Sequence, residues 1–140
     1  MPSNPPSTPN RSAPFTTLID VDGPLAAIVP QLLLECGSSL TEEQFTKWKL
    51  LETIEEVDGK ETKNKAAKIL SDWGFWAERL PVVEGAKEGI EAALKLGKIQ
   101  IVTSPWLGCK SWGDARYHWL KKNFGIDSKL VKIGWDKSNV

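Results

Sequence analysis

The sequence has few of the residues on which metal and disulfide proteins depend. Among 140 residues there are two cysteines, Cys36 and Cys109, and one histidine, His118. The cysteines match no CxxC spacing and are too few for a disulfide framework, which favours packing roles in a reducing cytoplasm. A single histidine excludes zinc sites built on histidine pairs, so we expect a surface or interfacial role for His118.

Net charge and long apolar runs are lacking as well. Lysine plus arginine and aspartate plus glutamate both total 18, and this zero net charge argues against nucleic-acid binding. There is no secretory signal and no apolar run of about 20 residues, so no contact with a membrane is expected. The first 14 residues contain five prolines, which predicts a disordered tail over 1–14. The rest predicts a single soluble, cytoplasmic domain.

Strand-like and helix-like segments alternate along the remaining chain, which is typical of an α/β domain with a parallel sheet. Strands are predicted over 15–19, 98–102 and 130–133. The helical stretch between the first two strands is too long for an ordinary crossover. We therefore predict an inserted helical cap over 25–80, with the α/β core formed by 15–24 and 81–140.

Two carboxylates follow the first strand, where parallel sheets bind ligands. Asp20 and Asp22 are separated by one residue and followed by Gly23, so they can take different chemical roles. A calcium loop is excluded, because it needs glycine and glutamate where Leu25 and Gln31 stand. An ordinary turn stays open as an alternative, since aspartate and glycine are common turn residues.

The motif Asp20-Val21-Asp22-Gly23-Pro24-Leu25-Ala26 resembles the first motif of the haloacid dehalogenase superfamily of phosphotransferases. Thr103-Ser104-Pro105 resembles the second motif, and Asp136-Lys137-Ser138 resembles the lysine-bearing third. Within that superfamily, the chain looks like the 5'(3')-deoxyribonucleotidase family over residues of about 17–140. The residues that carry this similarity are Thr103-Ser104-Pro105, Lys110, Arg116-Tyr117-x-Trp119, Phe124-Gly125 and the aromatic residues ahead of Pro81. The resemblance implies a HAD-like Rossmannoid fold in which the cap covers the strand ends.

The resemblance also implies a mechanism. Asp20 would attack the phosphorus of a nucleoside monophosphate, and Asp22 would serve as general acid and then general base. Phosphate would be bound by side chains and by loop N–H groups. The implied phosphate-binding residues are Gly23, Thr103, Ser104, Lys110 and Lys137.

A magnesium ion is implied by the same resemblance, because a phosphate dianion would be repelled by two aspartates. Its ligands here would be the carboxylate of Asp20 and the backbone carbonyl of Asp22. The resemblance further implies an acidic fourth motif and another core strand, whereas the sequence ends three residues after Lys137. We therefore expect a fragment or a truncated relative, whose open strand edge would favour aggregation or a homodimer. Pro24, which has no N–H, replaces the family's usual valine or threonine.

Seven tryptophans are a large supply of flat apolar surface. The candidates for stacking on a nucleobase are Trp48, Trp73, Phe75 and Trp76, with packing between cap and core as the alternative. Packing is favoured for the tryptophans at 112, 119 and 135. Lys110 could bind phosphate or lie in solvent, and a solvated position is favoured for Arg116.

Together these features predict a Mg²⁺-dependent phosphomonoesterase that hydrolyses nucleoside 5'-monophosphates, with deoxyribonucleotides favoured, through a phosphoaspartyl intermediate. Two alternatives stay open. One is a phosphatase of the same mechanism for a sugar phosphate or another small phosphomonoester. The other is a truncated, non-catalytic module that binds phosphate or nucleotide.

Overall fold

A computed structural model of the chain describes residues 15–45 and 49–134, so the predicted tail lies outside the described residues. The regular elements in these two ranges are β1 (Phe15–Asp20), α1 (Ile28–Cys36), α2 (Leu50–Asp58), α3 (Lys60–Leu70), α4 (Ala86–Leu96), β2 (Gly97–Thr103), α5 (Trp112–Phe124) and β3 (Val131–Ile133). The short turns of 3₁₀-helix cover Glu42–Gln44 and Ser128–Leu130, and a π-helix covers Phe75–Arg79.

The strands form one parallel sheet in the order β1-β2-β3. The predicted α/β class and parallel sheet are therefore confirmed at this coarse level. β2 is the middle strand, and its buried side chains at Ile99, Ile101, Val102 and Thr103 form a nearly continuous run. Such a run is typical of a parallel strand that is covered on both faces.

The first three helices after β1 pack mainly on one another, whereas α4 packs on β2. α3 contacts both α1 and α2, and their buried side chains join the same apolar cluster as those of the sheet. Gly37 ends α1 in the left-handed conformation, with φ of 74°, and donates to the Leu33 carbonyl as a C-cap. The four helices α1–α4 form the crossover that joins the two parallel strands.

A short 3₁₀-helix over Glu42–Gln44 follows Thr41. The Gln44 side chain accepts a hydrogen bond from the Thr41 amide at 2.6 Å, as in a capping box. The backbone is extended at Phe45, and α2 begins at Leu50. Trp48 lies outside the described residues.

The π-helix packs against α5. The indole nitrogen of Trp119 in α5 donates to the Leu80 carbonyl, just after the π-helix, at 2.9 Å.

None of the described helices has both the length and the apolar character that are needed to cross a membrane.

Candidate functional site

A tight loop carries the two aspartates at the carboxyl end of β1. The Val21 carbonyl accepts hydrogen bonds from the amides of Leu25 and Ala26, at 2.9 and 2.8 Å. Gly23 has φ of 104°, a conformation that favours glycine, and its amide donates to the Ala26 carbonyl at 3.0 Å. The Gly23 amide, predicted to bind phosphate, is therefore engaged within the loop in this structure.

The ends of β1 and β2 lie at the same edge of the sheet. Asp20 is paired with Val102 in the parallel register, and Thr103 is the next residue of β2. Thr103 is 1% exposed, and its hydroxyl oxygen has no hydrogen-bond partner among the described residues. A buried hydroxyl without a partner costs free energy, so it invites an explanation such as a ligand.

A cavity opens beside the aspartate loop and has a volume of about 370 Å³. That volume is at the small end of the range for small-molecule sites. Most of its wall is apolar, and its two carboxylates are those of Asp22 and Glu42. The lining residues are Asp22, Gly23, Ile28, Val29, Glu42, Leu50, Leu70, Trp76 and Trp106. The cavity can accept an apolar ring while it presents a carboxylate at one end.

The carboxylate of Asp22 forms an ion pair with a buried guanidinium. Nη2 of Arg116 donates to Oδ1 of Asp22 at 2.6 Å, and the Arg116 side chain is 1% exposed. The Cζ atom of Arg116 lies 4.8 Å from the ring centre of Trp112 and 5.5 Å from that of Trp76. The prediction that Arg116 is solvated is therefore wrong. Two indole rings and a carboxylate provide the surroundings that a buried arginine needs.

Of the aromatic residues predicted to stack on a base, the described part of the chain brings one to the cavity. Trp76 lines it, and its indole nitrogen is anchored on the Leu70 carbonyl at 2.7 Å. Phe75 is fully buried and packs edge-on against Trp76, which favours for Phe75 the alternative of packing between cap and core. Trp73 lies at the surface against His118, with ring centres 5.6 Å apart, and is not among the cavity-lining residues.

The other predicted site residues fall into two groups. Ser104 is half-buried just beyond β2, and Lys110 is exposed in the turn before α5. Lys137 and Trp48 lie outside the described residues, so their predicted roles stay predictions.

The donor set at the sheet edge suits a hard cation. Mg²⁺ in proteins is usually held by one or two carboxylates, with phosphate oxygens and waters completing its coordination. Asp20 offers such a carboxylate at the end of β1, and the backbone carbonyl of Asp22 would be the second ligand, since the Asp22 carboxylate pairs with Arg116. The described residues contain no group of three or more histidine, cysteine, aspartate or glutamate side chains that could hold a metal.

The two cysteine thiols are poor nucleophiles. Cys109, in the turn before α5, is buried, and this burial raises the pKa of its thiol. Burial likewise raises the pKa of the Cys36 thiol in α1. Because the thiolate is the reactive form, neither thiol is suited to act as a nucleophile at neutral pH.

Sequence reasoning misses the positions of two residues of this site. Trp106 lines the cavity, and only its position just after Thr103-Ser104-Pro105 points towards it. Arg116 is the other, and its place one turn after Trp112 on α5 is the only sequence feature that indicates its burial.

No protein-family model matches the chain, and a search of curated proteins likewise finds no match.

Proposed function

We propose that the protein is a Mg²⁺-dependent phosphomonoesterase that acts on nucleoside 5'-monophosphates, with deoxyribonucleotides favoured. The proposal rests on one arrangement at the carboxyl edge of a parallel sheet. There, Asp20 ends β1 and Asp22 follows it, Thr103 with its unpartnered hydroxyl ends β2, and Asp22 lines a cavity together with two tryptophans. This arrangement combines oxygen nucleophiles, a buried hydrogen-bonding group and an apolar compartment.

In the proposed reaction, an oxygen of Asp20 attacks phosphorus and the bond to the sugar oxygen breaks. Asp22 donates a proton to that leaving oxygen. Water then hydrolyses the phosphoaspartyl group, Asp22 accepts a proton from the water, and inorganic phosphate is released. Thr103 would donate its hydroxyl hydrogen to a phosphoryl oxygen.

The carboxylate of Asp20 and the backbone carbonyl of Asp22 would hold the metal ion, which when bound offsets the negative charge of the phosphate beside two carboxylates. The cavity would receive the nucleobase. Trp76 and Trp106 offer ring surfaces there, and stacking on an aromatic side chain contributes about 1 to 3 kcal/mol per base in nucleic-acid complexes.

Phosphate release from dUMP and dTMP with Mg²⁺, compared between wild type and Asp20→Asn, tests the proposal. We expect the Asp20→Asn substitution to abolish turnover, because an amide cannot form the phosphoaspartyl group. Acid-stable ³²P incorporation into wild type, absent from the variant, would support the intermediate. Equal rates for the two proteins would remove Asp20 as the nucleophile.

A second function, phosphate binding without turnover, is favoured because the described residues offer fewer acidic metal ligands than the resemblance implies. The resemblance implies a third acidic ligand, whereas the described residues offer no group of three metal-ligating side chains. Calorimetry distinguishes the two functions. Nucleotide binding without hydrolysis would favour the binding module, and covalent phosphate on Asp20 would exclude it. A substrate panel that includes sugar phosphates tests whether the cavity requires a base.

A further inference from the structure

Arg116 is the most deeply buried charged side chain in the described part of the molecule. One of its nitrogens, Nη2, donates to Asp22, while Nε and Nη1 have no hydrogen-bond partner among the described residues. Buried donors without partners are costly, and a buried arginine is rarely a gain in stability. Because these unpaired donors destabilise the fold, we infer that Arg116 has a functional role.

Two indole rings pack against the guanidinium of Arg116. Trp112 and Trp76 both lie within 6 Å of its Cζ atom, at 4.8 and 5.5 Å. The two rings are tilted by 71° to each other, with centres 5.7 Å apart, so they hold the guanidinium from two directions. The direction of the Nη2 hydrogen bond is therefore set by packing as well as by charge.

The residue before α5 has a strained backbone conformation. Ser111, directly before Trp112, has φ of 60° and is the one described residue other than glycine with positive φ. Such a conformation persists where the surrounding structure demands it, and it occurs often at functional sites. Here it begins the helix that carries Trp112 and Arg116.

We infer that Arg116 is a positioning residue for Asp22, and that Trp76 and Trp112 in turn position Arg116. This inference rests on the proposed function, in which Asp22 moves the proton. Trp76 also lines the cavity. The side chain that would contact a bound ligand therefore also contacts Arg116, which orients Asp22. Arg116 thus acts through Asp22 and does not itself touch the reacting atoms.

Arg116→Lys tests this role in catalysis. Lysine keeps the charge but loses the planar guanidinium that the two rings hold. We expect kcat for dUMP to fall about 10- to 100-fold, as for other residues that orient a reactive group, with KM nearly unchanged. A double-mutant cycle with Asp22→Asn should show no further loss from Arg116→Lys. A kcat equal to that of wild type would overturn the inference.

Arg79→Lys is the matched control. Arg79 also pairs with carboxylates, those of Glu35 and Asp72, and its Cζ lies 5.8 Å from the Phe75 ring centre. It is half-exposed and is not among the cavity-lining residues. We expect this variant to keep the wild-type kcat. A fall in kcat for Arg116→Lys alone would then be due to the lost pairing with Asp22 and not to the loss of any arginine–carboxylate pair.

Arginine side-chain NMR tests the pairing without activity and without a variant at the buried position. In wild type, slow rotation of the Arg116 guanidinium should give resolved Nη signals, and Asp22→Asn should average them. Averaged signals in wild type would overturn the inference even if Arg116→Lys failed to fold. A wild type that releases no phosphate would contradict the proposed function alone, since these signals still report whether Asp22 holds Arg116.

Discussion

The indole nitrogen of Trp76 donates a hydrogen bond to the main-chain carbonyl of Leu70, 2.7 Å away. This bond ties the π-helix to the end of α3 and holds the Trp76 ring in the cavity wall. We expect Trp76→Phe to lower the free energy of unfolding by about 1 to 3 kcal/mol, because it leaves a buried carbonyl unsatisfied. It should also raise KM for dUMP more than KM for a phosphomonoester without a base.

Trp119→Phe is the control for that prediction. Trp119 makes the same kind of bond, to the Leu80 carbonyl at 2.9 Å, but it is buried in the core and is not among the cavity-lining residues. Urea unfolding should show similar losses of stability for both variants, and steady-state kinetics should separate them. An equal rise in KM for both would mean that the effect of Trp76→Phe is only structural.

The Thr103 hydroxyl offers a prediction in which stability and activity change in opposite directions. Thr103→Val keeps the shape of the side chain and removes a buried polar atom that has no partner among the described residues. We expect the free energy of unfolding to rise by about 1 kcal/mol and phosphate release to fall. Thr17→Val, at a half-buried position on β1, should change neither. A Thr103→Val protein that is less stable would show that its hydroxyl is already satisfied in the free protein.

The predictable parts of this molecule are those determined by neighbours in the sequence. The run after the tail ends at Asp20, and β1 ends there too. Glycine is common directly after a helix, and Gly37 and Gly125 both adopt the left-handed conformation of a C-cap there. Because parallel strands end at one edge, the same reasoning predicts that Asp20 and Thr103 share that edge, as the register of β1 and β2 confirms.

What sequence reasoning misses depends on contacts between distant segments. Arg116 lies 94 positions from Asp22, and a charged helical residue ordinarily faces solvent. Phe75 and Trp76 are adjacent and equally apolar, yet one is sealed in the core while the other lines the cavity. The π-helix that separates their environments has no periodic pattern that a sequence reveals.

Gly108 is a position where a single methyl group should disturb the cavity wall. A Cβ atom there would lie 2.8 Å from Nε1 of Trp106, which is closer than real Cβ contacts allow. We expect Gly108→Ala to displace the Trp106 ring and weaken dUMP binding severalfold, as measured by calorimetry. Gly89→Ala in α4 is the control, since a Cβ there meets nothing within 4 Å. It should leave binding unchanged and raise stability by about 0.5 to 1 kcal/mol.

The ion pair between Glu35 and Arg79 predicts how stability changes with pH. Burial by itself would raise the pKa of Glu35, but hydrogen bonds from Arg79 and Gln31 and the charge of Arg79 outweigh it and hold the pKa below 4.5. A carboxyl whose pKa is lower in the folded state stabilises the fold above its unfolded pKa. This contribution is lost as the pH falls through the lowered value.

Urea unfolding between about pH 7 and about pH 3 measures this loss. We expect the free energy of unfolding of wild type to decline on acidification more steeply than that of Glu35→Gln, which has no titrating group at this position. The two curves should converge at the acid end, where the Glu35 carboxyl is protonated in both the folded and the unfolded state. The Arg79→Gln variant should decline less steeply than wild type on acidification, because removal of the guanidinium takes away the bonds that lower the Glu35 pKa. Parallel curves for wild type and Glu35→Gln over the whole range would contradict a lowered pKa at Glu35.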